Sequence, residues 1–219
     1  MPFSDALLEA GEDIWEAQKA HPFVVELADG RLDEAAFRHW VKQDYRYLLD
    51  YARVFALAST KADSEADMSH LMEVSHTILD YEMELHRDFA GEWRLTPGDL
   101  ESVRKAPTCV AYTNFLVRTA HEGSIAEISA AIYPCGQGYL DVAAHMADLA
   151  DGEHRYTPFI EKYTSEEFRD AVGWMRDFVD RCGERYPGEH EAMREAFLTS
   201  ARLEHRFWEM CYTREKWEV

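Results

Sequence analysis

The sequence lacks a long apolar run, although 47% of its 219 residues are hydrophobic. Charged residues interrupt every hydrophobic stretch, and none approaches the roughly 20 apolar residues that a membrane-spanning helix needs. The first residues, MPFSDALLEAGEDIW, reach acidic side chains at once. They therefore lack the basic stretch followed by an apolar one that is typical of a secretory signal. We expect a soluble, cytoplasmic protein.

Cysteine is scarce. The four cysteines, Cys109, Cys135, Cys182 and Cys211, are far apart and form no CxxC pair. In a chain of this length, such spacing favours free thiols over a disulfide framework. The default interpretation of any one of them is a small buried hydrophobic residue.

Basic residues are also few. The chain has 23 Lys and Arg against 42 Asp and Glu, which gives a formal net charge of −19. Nucleic acids and anionic membranes are excluded as partners, because their phosphates would be repelled. Only 6 of the basic residues are lysine. An acidic, lysine-poor surface suggests a halophilic type of protein from a salty cytoplasm, where salt screens the self-repulsion.

This habitat hypothesis predicts that the melting temperature rises between low and molar salt. Each gain of about 1 kcal/mol in stability moves the melting temperature of a chain of this size by about 2–4 °C. Thermal unfolding followed by circular dichroism in increasing sodium chloride measures the shift. A melting temperature that stays constant or falls contradicts the hypothesis.

Helical periodicity runs through the chain, and no strand-like alternation persists. Helix-breaking residues separate the helical segments, and the predicted N-terminal caps of the segments are Ser4, Asp33, Ser64, Ser124 and Ser165. The predicted helices cover about 4–20, 33–61, 64–93, 108–122, 124–150, 165–186 and 189–213. We expect a turn over 23–28, the longest loop over 95–107, and irregular structure around 157–158. Short links without a Gly-, Pro- or Ser-rich linker predict one all-α domain over residues 1–219, folded as a helical bundle.

The predicted helix over 124–150 contains the segment Ala130-Ala131-Ile132-Tyr133-Pro134-Cys135-Gly136-Gln137-Gly138-Tyr139. Pro134 should kink or restart the helix, because it removes a backbone donor and its ring clashes with a carbonyl. After a restart, Cys135 would lie in a first helical turn, where free N–H groups and the helix dipole favour a thiolate. Tyr139, four residues on, shares its face. The alternative is a structural kink with an inert thiol.

Asp44, Tyr47 and Tyr51 form a stripe on the predicted helix over 33–61. Such a stripe is unusual in a bundle core, since Asp is rarely buried without a partner. A buried Asp44 could pair with the amino group and a ring nitrogen of a heteroaromatic ligand. The alternative is a solvated helix face.

Glu204, Phe207 and Trp208 share a face of the last helix. A carboxyl group beside aromatic rings can have a raised pKa through desolvation, which suits general acid catalysis near neutral pH. The alternative is a salt-bridged surface glutamate. Tyr112 and Tyr163 are further phenols that could close an aromatic box.

A metal site has weaker support. Glu82 and His86 lie four residues apart, as do Asp141 and His145. Di-iron bundles use Glu-x-x-His, with a spacing of three. We interpret Glu82 and His86 as a buried hydrogen bond that orients a helix. The alternative is a metal-dependent oxidase that uses Glu82, His86 and Glu204.

The separate motifs follow one another along nearly the whole chain. They are Asp44 with Tyr47, Tyr112-Thr113-x-Phe115-Leu116, Pro134-Cys135-x-x-x-Tyr139, Tyr163, and Glu204-x-x-Phe207-Trp208. Together they resemble the TenA/thiaminase II family. The resemblance implies a haem-oxygenase-like helical fold, a homotetramer, no cofactor and no metal. It places the chain in the cysteine-containing branch of the family.

The resemblance also implies roles for individual residues. Cys135 would be the nucleophile, and Glu204 the acid that handles protons at the pyrimidine and the leaving group. Asp44 and Tyr139 would bind the aminopyrimidine, and Tyr47 would support the reactivity of the cysteine. The expected pocket walls are Tyr112, Tyr163 and Phe207, and Tyr51 on the Asp44 stripe is a further substrate-binding candidate.

The implied activity is hydrolysis of 4-amino-5-aminomethyl-2-methylpyrimidine to the hydroxymethylpyrimidine used in thiamine salvage. Thiamine is the other substrate that the resemblance implies. The acidic, Arg-rich surface departs from many family members, which bears on oligomer contacts more than on the chemistry. A non-catalytic pyrimidine-binding or regulatory protein is a further hypothesis, although binding alone needs no nucleophile.

Overall fold

The computed structural model describes residues 1–218 as a bundle of twelve α-helices, with no β-strand in that range. The helices are α1 (Phe3–Ala10), α2 (Glu12–Lys19), α3 (Pro22–Ala28), α4 (Glu34–Ser59), α5 (Glu65–Thr77), α6 (Met83–Glu92), α7 (Pro97–Glu101), α8 (Pro107–Glu122), α9 (Ile125–Leu149), α10 (Thr157–Tyr163), α11 (Glu166–Arg185) and α12 (His190–Thr213). A π-helical turn, Ile78–Glu82, joins α5 to α6, and a 3₁₀ turn, Pro187–Glu189, precedes α12. The predicted all-α bundle is confirmed.

The central helix of the bundle is α9. It packs most extensively against α12 and α11, and it also contacts α3, α8 and α10. At Gly136 the approach of α11 is especially close, because a Cβ atom there would lie 2.8 Å from Sδ of Met175. Across residues 1–218, no helix combines the length and the apolar character that spanning a membrane requires.

Four predicted helix caps are confirmed. The side chains of Asp33, Ser64, Ser124 and Ser165 each accept a hydrogen bond from a backbone N–H in the first turn of α4, α5, α9 and α11. These contacts satisfy N–H groups that have no partner inside the helix. The long helices therefore begin where the sequence places them.

The first predicted helix, 4–20, is wrong in two respects. Ser4 does not cap it, because its backbone N and its Oγ donate to the Asp180 carboxylate, at 2.7 and 3.0 Å. The segment also divides into α1 and α2 at Gly11, where a Cβ atom would lie only 3.2 Å from the Phe197 ring. Tertiary contacts with α11 and α12 thus override the local pattern.

Short helices replace the expected turn over 23–28, part of the expected loop over 95–107, and the irregular structure around 157–158. Each of α3, α7 and α10 has a proline in its first turn, where the missing N–H is not needed. The His21 ring caps α3 by accepting from the Phe23 N–H at 3.1 Å. Helices of five to seven residues are too short to show periodicity in the sequence.

The expected restart at Pro134 is also wrong. Helix α9 continues through Pro134 from Ile125 to Leu149, and the packing of neighbouring helices around it compensates for one lost backbone bond. Cys135 therefore lies in the middle of a helix. Free N–H groups and the positive dipole end are absent there, so they cannot stabilise a thiolate.

Candidate active site

A cavity of about 550 Å³, including the part open to solvent, lies between α4, α9, α10, α11 and the α5–π-turn segment. Five of the predicted site residues border it, and these are Asp44, Tyr51, Cys135, Tyr139 and Tyr163. Its other walls are mostly apolar and come from Leu48, Phe55, Val74, Ile78, Phe168, Ala171, Val172 and Met175.

Asp44 is buried, with 4% of its surface exposed, so the alternative of a solvated helix face is wrong. One carboxylate oxygen, Oδ2, lies 2.6 Å from Nε2 of His86. Tyr139 Oη donates a long bond to Oδ1 at 3.5 Å, and Trp40 Nε1 donates to Tyr139 Oη at 3.0 Å. These contacts fix the carboxylate at the polar end of the cavity.

His86 is the partner of Asp44 that the sequence did not reveal. Its Nδ1 lies 3.3 Å from the backbone oxygen of Glu82. Each ring nitrogen of His86 thus faces one oxygen acceptor. The predicted hydrogen bond between Glu82 and His86 is present, but it uses the backbone oxygen of Glu82 and not its carboxyl group.

Cys135 borders the cavity with 9% of its surface exposed. Burial raises the pKa of its thiol well above the usual range, and the negative charge of Glu204 raises this pKa further. The adjacent Tyr47 hydroxyl opposes the rise in pKa. The thiol is thus protonated in the unliganded protein, contrary to the expectation based on a helix start.

Tyr47 presents a buried hydroxyl that has no well-formed hydrogen bond within residues 1–218. Its ring is held firmly, since it stacks on Tyr51 with a centroid distance of 5.4 Å and packs against Tyr112 at 4.9 Å. Tyr51, in contrast, uses its hydroxyl structurally by donating to the backbone oxygen of Ile132 at 2.7 Å. Of these two phenols, only Tyr47 has a hydroxyl available to act on the cysteine.

Glu204 is buried beside aromatic residues, with 2% of its surface exposed, so the alternative of a surface salt bridge is wrong. Tyr112 Oη donates to Glu204 Oε2 at 2.8 Å and lies 3.0 Å from Ser200 Oγ. Burial raises the pKa of the Glu204 carboxyl to about 8, against the opposing effect of the Tyr112 hydrogen bond. Near neutral pH this group is mostly a protonated acid.

The structure divides the predicted site residues into two layers. Tyr47, Tyr112, Glu204 and Phe207 do not border the empty space, and they pack behind it with α8 and α12. Tyr112 and Phe207, which the resemblance implies as pocket walls, thus lie behind the residues that border this cavity. Cys135 connects the layers, because it borders the cavity and also interacts with Tyr47 and Glu204.

The proposed metal cluster is absent from residues 1–218, where no three His, Cys, Asp or Glu side chains gather closely enough to hold an ion. Asp141, half of the second candidate pair, accepts instead from Trp15 Nε1 at 2.8 Å and Gln137 Nε2 at 2.9 Å. The bond from Trp15 joins α2 to α9, and the bond from Gln137 lies within α9. The oxidase hypothesis therefore has no preformed ligand set in this structure.

The site thus combines three chemical capacities. Cys135 offers a thiol at the cavity surface, Glu204 offers a carboxylic acid that can donate a proton near neutral pH, and Asp44 offers an oriented carboxylate. Tyrosine rings provide flat surfaces on which a heterocycle can stack. This set suits covalent catalysis with proton transfer on a small aromatic ring.

The chain is similar to known proteins over nearly its whole length. The family model described as "TENA/THI-4/PQQC family" matches residues 8–214. An aminopyrimidine aminohydrolase of Halalkalibacterium halodurans is 35% identical over 220 residues, covering 99% of this chain and 98% of that protein.

Two solved structures resemble the whole bundle. A TenA homologue from P. horikoshii has a TM-score of 0.90 and 30% identity, covering 97% of this chain and 99% of that one. A domain of unknown function from Shewanella denitrificans, with a heme oxygenase-like fold, has a TM-score of 0.76 at 14% identity, covering 96% of this chain and 92% of that one. The second likeness concerns the fold alone, and it confirms the predicted haem-oxygenase-like architecture.

Proposed function

Because the chain belongs to the TENA/THI-4/PQQC family, we propose that it is an aminopyrimidine aminohydrolase that works by cysteine catalysis. It converts 4-amino-5-aminomethyl-2-methylpyrimidine to the 5-hydroxymethyl compound for thiamine salvage, and it also cleaves thiamine. The observation that carries this proposal is that Cys135 joins the cavity containing Asp44 to the buried acid Glu204.

Asp44 binds the aminopyrimidine ring. Its carboxylate, held by His86, accepts from the ring amino group. Tyr139 and Tyr163, whose ring centroids lie 4.7 Å apart, stack on the heterocycle and exclude water. Fixing the ring in this way removes much of the entropic cost of the following step.

Cys135 attacks the bound ring. Glu204 gives its proton to a ring nitrogen, its carboxylate then takes up the proton of the thiol, and Tyr47 donates to the thiolate that forms. The sulfur bonds to a ring carbon beside the one that carries the methylene. The electrons of the disrupted aromatic system expel the amine, which leaves as ammonia. Covalent catalysis thus divides one difficult displacement into easier steps.

Glu204 transfers the protons in these reaction steps. Its acid form protonates the pyrimidine, and also a leaving amine that is not already protonated, because its pKa of about 8 keeps it protonated at neutral pH. Water then adds its hydroxyl to the methylene, and the sulfur departs and regains its proton. The net reaction consumes one water and releases ammonia and the hydroxymethylpyrimidine.

Turnover of the purified protein tests the proposal. Incubation with 4-amino-5-aminomethyl-2-methylpyrimidine should release ammonia and hydroxymethylpyrimidine in equal amounts, and incubation with thiamine should release the same pyrimidine. Tight binding of hydroxymethylpyrimidine without turnover of either compound would instead favour a binding or regulatory protein.

Replacement of Tyr47 by phenylalanine separates catalysis from stability. Tyr47→Phe should lower kcat by about 10- to 100-fold, because one charge-assisted hydrogen bond to the thiolate is lost. Stability should change little, since the hydroxyl has no partner to lose. Steady-state kinetics and urea unfolding measure the two effects.

Tyr51→Phe is the matched control, because it removes a hydroxyl that donates to Ile132. It should cost about 1 kcal/mol of stability and affect kcat less than Tyr47→Phe does. The reverse pattern, with Tyr51→Phe impairing the rate and Tyr47→Phe the stability, would contradict the role given to Tyr47.

The remaining features of the resemblance complete the proposal. We propose that residues 1–219 form one domain, which acts in the cytoplasm as a homotetramer. The reaction as written needs no metal ion and no organic cofactor. Its steps use only the thiol, the carboxyl groups and water.

A further inference from the structure

Glu82 borders the same cavity as Asp44 and Cys135, and the steps above give it no task. It is the last residue of the π-helical turn between α5 and α6. Its side chain is half-buried, and its carboxyl group makes no hydrogen bond or ion pair with any residue from 1 to 218. A carboxyl group in this position lacks a counter-charge.

The π-helical turn aims Glu82 at the cavity. Val74, Ile78 and Glu82 all border the cavity at a spacing of four, and His86, four residues further, reaches Asp44. In a regular α-helix, residues spaced by four drift around the axis by about 40° at each step. A wider π turn takes up this drift, and such turns are frequent at functional sites. The stripe therefore stays directed at the cavity over four successive positions.

The surroundings of Glu82 contain cations but leave its carboxyl group unpaired. Burial raises the pKa of Glu82 to about 7, and the charge of Asp44 raises it further, against smaller effects of Lys162 and His86. His86 is bonded to Asp44. The Lys162 ammonium lies over the Tyr81 ring, 3.3 Å from its centroid. A cation that entered the cavity would find a carboxylate without competition from a direct ion pair.

We propose that Glu82 binds the protonated amino group on the exocyclic methylene of the substrate, and thereby selects the aminomethyl compound over its neutral hydroxymethyl counterpart. This inference rests on the proposed function. It assigns Asp44 to the ring amino group and Glu82 to the side-chain ammonium, two groups that neighbouring ring carbons carry. Asp44 and Glu82 both border the same cavity, so one small ligand can contact both carboxyl groups.

This assignment has a consequence for the product. Hydrolysis replaces the ammonium by an uncharged hydroxyl, so the ion pair with Glu82 is lost when the reaction is complete. A carboxylate left without its counter-charge in a buried site is unfavourable. Glu82 thus favours binding of the substrate and release of the product.

Calorimetric titration of the Cys135→Ser protein tests the inference without turnover. In that background Glu82→Gln should weaken binding of 4-amino-5-aminomethyl-2-methylpyrimidine by about 10- to 100-fold, the usual effect of a hydrogen bond to a charged group. Binding of the hydroxymethyl compound should change less than about threefold, since it has no ammonium. Glu84→Gln, two residues away and exposed, is the matched control and should leave both affinities unchanged.

Lys162→Gln is a second variant for the same titration, and it leaves the residues that border the cavity unchanged. It removes a cation that lowers the pKa of Glu82, so a smaller fraction of Glu82 is ionised at neutral pH. Binding of the aminomethyl compound should weaken, and binding of the hydroxymethyl compound should stay the same. The inference is overturned if Glu82→Gln weakens both ligands equally, or if neither variant alters the preference between them. Failure of the proposed function is distinct, because wild-type protein would then bind the aminomethyl compound without hydrolysing it.

Discussion

Cys135→Ser and Cys135→Ala protein should lose at least about 10³-fold in kcat on the aminomethylpyrimidine, because a hydroxyl or a methyl group cannot replace the nucleophile. Binding of hydroxymethylpyrimidine should persist, since the carboxylate of Asp44 and the tyrosine rings are unchanged. Single-turnover kinetics measure the loss, and calorimetry measures the retained binding.

Cys182→Ser is the matched control for this loss. Cys182 is also buried, but it lies on α11 away from the cavity, and burial raises the pKa of its thiol to about 11. This variant should keep wild-type kcat. Turnover that survives in both Cys135 variants would remove the covalent mechanism, whatever the control shows.

Glu204→Gln should lower kcat by about 10²- to 10⁴-fold, the range expected when a general acid is lost. The wild-type rate should also report the titration of this group. Because the acid form is the active one, kcat should be level below the pKa of about 8 and then fall about tenfold for each pH unit above it. The Glu204→Gln protein should lack this alkaline limb, since an amide does not titrate in this range.

Glu195→Gln, an exposed change on the same helix, is the control for the glutamate and should keep both the rate and the alkaline limb. A Glu204→Gln protein that retained the wild-type rate would show that the proton comes from elsewhere. An alkaline limb that persisted in this variant would assign the titration to another group.

The contribution of α4 to the site could be predicted from the sequence. Asp33 marks its start, its apolar residues recur at helical spacing, and Asp44, Tyr47 and Tyr51 necessarily share a face because they lie three or four residues apart. The face of α12 that carries Glu204 and Phe207 follows by the same argument. In both cases the information is local, because a helix places its own side chains.

Contacts between distant segments could not be predicted in this way. His86 pairs with Asp44 across 42 residues, and nothing in the spacing around either residue specifies that contact. The cavity walls from α5 and α11 depend on how those helices pack against α4 and α9. The restart considered for Pro134 also does not occur, because α9 stays continuous through the proline where the isolated sequence favours an interruption.

A structure with bound hydroxymethylpyrimidine tests the central claim most directly, since every step above requires the ring to lie against Cys135. We expect the Asp44 carboxylate within hydrogen-bond distance of the ring amino group, and the sulfur of Cys135 roughly 3–3.5 Å from a ring carbon. A pyrimidine bound with the sulfur out of reach of the ring, or bound outside the cavity that Asp44 and Cys135 share, would contradict the account.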